Sequence, residues 1–259
     1  MMLKRIYRIY FYSSIHIALM AAIYFFLENE KNSIKDTCSI FLAIWIAYNL
    51  LRIARIKNYE NIKQEAHLKW VSTNLTELLI AITFLAFVLW LIIPKMYWKN
   101  YLIFGILLLL YISLRKFPLI KNILIAFSWS ALPYIFTPVL WYFSSENLFI
   151  FVHFLFLSIL YDNKDKINAL KTILGPKKHF LILLFIGSTS IFLFYYNTLD
   201  WIQTSVFFGL IYTALFITIK SPKEWFYLIV VDSYILLPYL LDISYIFKDI
   251  KQILFLKFQ

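Results

Sequence analysis

The feature that most constrains this chain is its succession of long apolar stretches, because about 20 apolar residues are needed to cross the hydrocarbon core of a bilayer. Nine such stretches occur along the 259 residues. The chain is 62% hydrophobic and 15% charged, whereas soluble domains are about 45–50% apolar and about 25% charged. It lacks the polar outer layer that a soluble fold needs. We therefore predict an all-α membrane protein, a bundle of nine transmembrane helices forming one domain over residues 1–259.

The predicted helices follow the apolar windows, which are 9–27, 37–54, 75–94, 99–114, 119–143, 146–161, 179–196, 200–219 and 225–247. The basic start of the chain, followed by an apolar run, would also suit a secretory signal peptide. That run has the length of a full span, which favours an uncleaved first helix. Pro133 and Pro138 lie inside the fifth window and predict a kink there.

The distribution of positive charge predicts the orientation, because cytoplasmic loops carry an excess of Lys and Arg. With the N-terminus inside, eighteen of these residues fall on inner segments and seven on outer ones. We therefore predict an inside N-terminus, an outside C-terminus and a place in the cytoplasmic membrane. The net charge of +11 then reflects loops that contact anionic lipid headgroups of the bilayer. We expect no nucleic-acid partner.

Two predicted inner loops begin in a similar way. The loop after the second helix begins Tyr48-Asn49 with Arg52 three residues on, and the loop after the sixth begins Tyr161-Asp162 with Asp165 three residues on. Such pairs, four helices apart, are typical of the internal repeats of membrane proteins. Polar residues are also common at helix ends, so similarity alone leaves both explanations open.

This arrangement resembles the UbiA superfamily of intramembrane prenyltransferases, whose acidic motifs follow helices two and six. The family's first motif begins with asparagine, and its second is an aspartate pair followed by Lys-Thr and glycine. The matching residues are Asn49, Asp162, Asp165, Lys171, Thr172 and Gly175. The segment RKFPLIKNILIAFSW, residues 115–129, is similar to the start of the family's fifth helix, with Lys121 at its usual lysine.

The first motif departs from the family pattern. Its aspartates are replaced here by Leu50, Ile53 and Lys57, and the second motif lacks its usual third acid. The resemblance is therefore close in architecture and weaker in its catalytic acids.

The resemblance implies transfer of an isoprenyl group from a prenyl diphosphate to an acceptor within the membrane. Asp162 and Asp165 would be the catalytic pair and would hold Mg²⁺, since carboxylates are its usual protein ligands. They share one face if the sixth helix continues through both. Expected substrate-binding residues are Asn49, Arg52, Arg55, Lys121, Lys171 and Asp232.

Several alternatives stay open at this point. Asp232 lies inside the ninth window, where a charge is costly and commonly functional, although a structural hydrogen bond would also explain it. The charged loop around Asp162 could simply be solvated and set the topology. A non-catalytic relative that binds a prenyl lipid, or a small membrane transporter, would suit the same sequence.

Overall fold

The computed structural model of the chain describes residues 6–28, 33–58, 66–114, 116–138, 144–162 and 170–197. Across these ranges the regular structure is helical and no strand occurs. The all-α prediction is therefore confirmed for the described residues. The chain divides into two compact units, Met1–Tyr142 and Phe143–Gln259, which we call unit 1 and unit 2. The prediction of one domain stays a prediction.

In unit 1 a π-helical turn, Arg8–Tyr12, precedes the first α-helix, and 3-10 turns occur at Lys95–Tyr97 and Leu132–Tyr134. The α-helices of this unit are α1 (Ile15–Glu28), α2 (Ile34–Asn58), α3 (Ala66–Thr73), α4 (Leu75–Ile92), α5 (Trp98–Leu114) and α6 (Pro118–Ala131). The described α-helices of unit 2 are α7 (Ser145–Asp162), α8 (Leu170–Leu174) and α9 (Pro176–Asn197).

Seven of the nine predicted windows coincide with helices of the described part. The windows 200–219 and 225–247 lie outside the described residues. The fifth window gives a helix shorter than predicted, since α6 ends at Ala131 and a 3-10 turn containing Pro133 follows. Proline has no N–H for the helical ladder and its ring clashes with the preceding turn, which explains the early end.

The second helix is longer than predicted. The apolar window ends at residue 54, whereas the following loop was expected to begin at Tyr48; α2 continues to Asn58. Asn49 and Arg52 therefore lie within a helix, so the prediction that they open a loop was wrong. The run from Tyr48 to Asn58 is rich in Leu, Ile, Ala and Arg, which have no tendency to end a helix.

Three segments of the described part are long and apolar enough to cross a membrane: Ile34–Ile56, Leu75–Ile92 and Lys95–Leu114. The last two expose large apolar side chains, with Phe84 64% and Leu102 66% accessible. Exposed apolar surface of this extent is unfavourable in water and matches the interior of a bilayer. The number of crossings and their direction stay predictions.

The core of unit 1 lies around α2, which packs against α1, α3, α4 and α5. One buried cluster joins Trp45 and Ile53 of α2 to Ala18, Val71 and Leu78 of its neighbours. In unit 2, α9 packs along α7 and beside α8. Its described core includes Phe154, Leu157 and Leu160 of α7 and Leu183 of α9.

Neighbouring positions on α4 test whether its exposed face contacts lipid. In a Cys38→Ser background, because Cys38 is an exposed thiol, we expect a spin label at Phe84→Cys to be relaxed strongly by oxygen and weakly by a water-soluble nickel complex. Ile82 is only 7% exposed, so a label at Ile82→Cys serves as the buried control and should respond weakly to both. The measurement is electron paramagnetic resonance of the labelled protein in liposomes.

Strong relaxation of the Phe84 label by nickel would contradict a lipid-facing α4.

Candidate functional site

The first helix of unit 1 is broken at two serines. The π-helical turn ends at Tyr12 and α1 begins at Ile15. Between them, Ser14 has a φ of 63°, in the left-handed region that non-glycine residues occupy at a cost. Such a break leaves carbonyls at the end of the first segment without intrahelical donors. In an apolar bundle those carbonyls need other partners.

Two side chains of α2 supply these partners. The Asn49 amide nitrogen Nδ2 donates to the carbonyl oxygen of Ser13 at 2.8 Å, and also to that of Trp45 at 2.8 Å. The Arg52 guanidinium donates to the carbonyls of Phe11 and Tyr12. Both donors are buried, with Asn49 0% and Arg52 8% exposed. The break is therefore held by residues one helical turn apart on α2.

Two polar atoms at the break have no hydrogen-bond partner among the described residues. They are the Oδ1 oxygen of Asn49 and the Oγ oxygen of Ser14, both in side chains that are 0% exposed. Leaving a buried polar atom unpaired costs about 1–3 kcal/mol. The contact between the first helix and α2 is thus polar, and its unpaired atoms reduce the free energy of unfolding.

Contacts at the other end of unit 1 fix the directions of its helices. Ser39 near the start of α2 hydrogen-bonds Tyr101 near the start of α5 at 2.8 Å. Asn100, beside Tyr101, donates to the carbonyls of Ile135 and Thr137 after α6, at 2.7 and 3.0 Å. The starts of α2 and α5 and the end of α6 therefore lie together.

It follows that the end of α2 and the start of α6 lie toward the opposite end of the unit. At a rise of about 1.5 Å per residue, Arg52 is about 20 Å along α2 from Ser39. Lys121 is about 12 Å along α6 from Trp129 by the same rise, and Trp129 contacts Tyr24 near the end of α1. Lys121 and Arg52 thus belong to the same end.

We call this the polar end of unit 1, and its residues are buried: Ser13, Ser14, His16, Asn49, Arg52, His67, Lys121 and Asn122. His67 belongs to it because α3 packs against the π-helical turn. Lys121 is 7% and Asn122 0% exposed on α6. No Asp or Glu is buried in the described residues of this unit. The polar end therefore carries buried positive charge, which favours an anionic ligand.

The structure describes only some of the other predicted site residues. Arg55 is half-buried on α2 and Lys171 is half-buried on α8. Asp162 is the last residue of α7, and its side chain lies outside the described residues, so the face shared with Asp165 stays a prediction. Asp165 and Asp232 lie wholly outside them. The predicted meeting of Asn49 and Arg52 with the two aspartates joins unit 1 to unit 2 and stays a prediction.

Within the described ranges no three His, Cys, Asp or Glu side chains come close enough together to hold a metal ion. The expected magnesium ligands, Asp162 and Asp165, fall at or beyond the edge of those ranges. Two carboxylates are a suitable donor set for Mg²⁺, so the magnesium expectation rests on their chemistry and on the resemblance.

The broken helix and the burial of Asn122 were not predicted from the sequence. Adjacent polar residues, Ser13 and Ser14, inside the apolar window 9–27 were the signal for the break. Asn122 follows the predicted Lys121 directly, and two polar residues in the first turns of an apolar helix could have marked both as facing the interior.

Comparison with known protein families, with curated proteins and with solved structures finds no match.

Replacing Asn49 tests its place at the break. Asn49→Leu keeps the branched shape of the side chain but leaves the buried Ser13 carbonyl without this donor, which costs about 1–3 kcal/mol. We expect a lower thermal unfolding temperature in detergent. Asn74→Leu is the matched control, because the Asn74 amide donates to Trp70 one turn back at 2.7 Å and is only half-buried. Equal losses in the two variants would contradict a special role for Asn49.

Proposed function

We propose that this protein is an intramembrane prenyltransferase of the UbiA type, multi-pass in the cytoplasmic membrane. It transfers an isoprenyl group from a prenyl diphosphate to an acceptor that lies in the bilayer. The observation that supports this most is the burial of two cations, Arg52 and Lys121, at the polar end of unit 1. Both residues also belong to the substrate-binding set expected from the sequence.

Buried cations suit a diphosphate for an electrostatic reason. Lys and Arg are almost never fully buried unless they interact with a partner group, and inside a membrane protein they commonly mark a substrate site. A prenyl diphosphate combines a multiply charged head with an apolar tail. A bundle with positive charge at one end and apolar residues elsewhere can accommodate both parts.

Arg52 has a double task in this proposal. Its guanidinium donates to the carbonyls of Phe11 and Tyr12, and a guanidinium has five N–H groups in a fixed fork. It can therefore hold the broken helix and contact phosphate oxygens with the same group. Binding of a diphosphate would then be coupled to the position of the first helix.

Magnesium, when bound, would neutralise charge on the departing diphosphate. Asp162 and Asp165 would hold it, since both are carboxylates at or just beyond the end of α7. With no aspartate in the first motif, the cations of the polar end would contribute a larger share of the binding energy than in a relative with both motifs. Lys171, Arg55 and Asp232 complete the proposed substrate-binding set.

Lys121→Met is the sharpest test of the diphosphate site, because methionine keeps the length of the side chain and removes its charge. A charge-assisted hydrogen bond contributes about 1.5–3 kcal/mol, and each 1.4 kcal/mol is about tenfold in affinity. We expect at least about tenfold weaker binding of an unreactive prenyl diphosphate analogue, by that conversion. Isothermal titration in detergent measures it.

Lys116→Met is the matched control, since Lys116 lies just before α6 and is exposed. It removes the same charge without removing a buried group, and we expect little change in affinity. Equal losses in both variants would show only a general charge effect and would contradict the site.

Asp162→Asn separates catalysis from binding. The carboxylate is proposed to hold the metal, so its loss should abolish turnover of a labelled prenyl diphosphate while analogue binding falls less. Turnover is measured with and without magnesium. Wild-type binding without turnover would favour a non-catalytic prenyl-lipid-binding protein. Substrate flux in proteoliposomes without turnover would favour a small transporter.

A further inference from the structure

His179 of unit 2 is a buried side chain with no visible structural task. It lies in the first turns of α9 and is 0% exposed. Neither ring nitrogen, Nδ1 nor Nε2, has a hydrogen-bond partner among the described residues. Buried polar groups in proteins are nearly always hydrogen-bonded, and each exception calls for an explanation. An imidazole that is sealed from water yet unpartnered is suited to a ligand that enters and supplies the partner.

The surroundings of the ring indicate which kind of ligand fits. Helical side chains tilt toward the N-terminus of their helix, so the His179 ring is directed toward the first turn of α9. That turn begins at Pro176, and the unpaired N–H groups of a helix start carry partial positive charge. Lys171 of α8 is close enough for its ammonium to act electrostatically on the ring. These features together disfavour a metal cation and favour an anion.

The described atoms leave space beside this turn. Gly175 precedes α9 with a φ of 78°, and a Cβ placed on it would meet no described atom within 4 Å. The exposed Lys177 and Lys178 of the same turn add further positive charge. The start of α9 therefore combines positive charge with free space beside Gly175.

We propose that His179, Lys171 and the first turn of α9 form a binding site for a phosphate group. The imidazole donates one hydrogen bond to a phosphate oxygen, and Lys171 and the helix start neutralise its charge. Two sources carry this chemistry: the head of a prenyl diphosphate and the headgroup of an anionic lipid. The inference rests on the proposed function only for the first of these sources.

Full-length protein in nanodiscs tests the site, with inorganic diphosphate as the soluble probe. Nanodiscs of phosphatidylcholine alone are compared with nanodiscs that also contain phosphatidylglycerol. The chain has four histidines, so nitrogen NMR of labelled histidine resolves them, and the His179 signal is assigned by its loss in His179→Phe. We expect diphosphate, phosphatidylglycerol or both to shift this signal.

His179→Phe keeps an aromatic ring and removes both unpartnered nitrogens. We expect its unfolding temperature without ligand to equal or exceed that of the wild type, and its affinity for the probe to fall about tenfold, the effect of one charge-assisted hydrogen bond. A structural histidine would show the opposite, lower stability with unchanged affinity. Lys171→Met gives a second test should His179→Phe fail to fold. Lys99→Met, at an exposed lysine of unit 1, is the charge-matched control.

The outcomes distinguish the two sources and the two proposals. A shift with diphosphate in phosphatidylcholine supports a soluble or substrate phosphate, and a shift that needs phosphatidylglycerol supports a lipid headgroup. No shift with either, or equal probe affinity in wild type and His179→Phe, overturns the site. Prenyl turnover without a His179 response overturns this inference alone. A His179 response without prenyl turnover contradicts only the proposed transferase.

Discussion

The need to satisfy backbone carbonyls in an apolar setting governs unit 1. Its first helix is broken at Ser13 and Ser14, and the carbonyls released by the break accept from Asn49 and Arg52 of α2. Water cannot supply these hydrogen bonds inside a bilayer, so another helix has to. The position of α1 against α2, and with it the buried cluster around Trp45 and Ala18, depends on this pairing.

The two ends of unit 1 satisfy their buried polar groups with different kinds of side chain. At one end, Asn100 and the Ser39–Tyr101 pair use neutral hydrogen bonds to join α2, α5 and the segment after α6. At the polar end, a guanidinium and an ammonium are buried instead. Neutral hydrogen bonds suffice to connect helices, and the buried cations of the described part of unit 1 lie at one end only.

The sequence was informative where a structural property depends on the summed hydropathy of neighbouring residues. Window hydropathy located seven helices of the described part, since helix formation in lipid depends on apolar length. The second window ended at residue 54, close to the end of α2 at Asn58. The loop expected to begin at Tyr48 was wrong, because the Tyr48–Asn58 segment has charges without any helix-ending residue. Lys121 was found through a motif, but the burial of Asn122 and His179 depends on packing between helices distant in the chain. No single-sequence pattern encodes that packing, and none encodes which donor serves a broken helix.

The hydrogen bonds from Asn49 and Arg52 to the first helix also affect how the chain enters a membrane. The carbonyl of Ser13 accepts from a donor 36 residues later in the sequence. Those of Phe11 and Tyr12 accept from Arg52, which lies 41 and 40 residues later. When the first helix leaves the ribosome, Asn49 and Arg52 still lie inside the exit tunnel. A helix with unpaired carbonyls is poorly soluble in lipid. The smallest piece that satisfies its own backbone is therefore the hairpin of α1 and α2, and these helices should pass from translocon to bilayer as a pair.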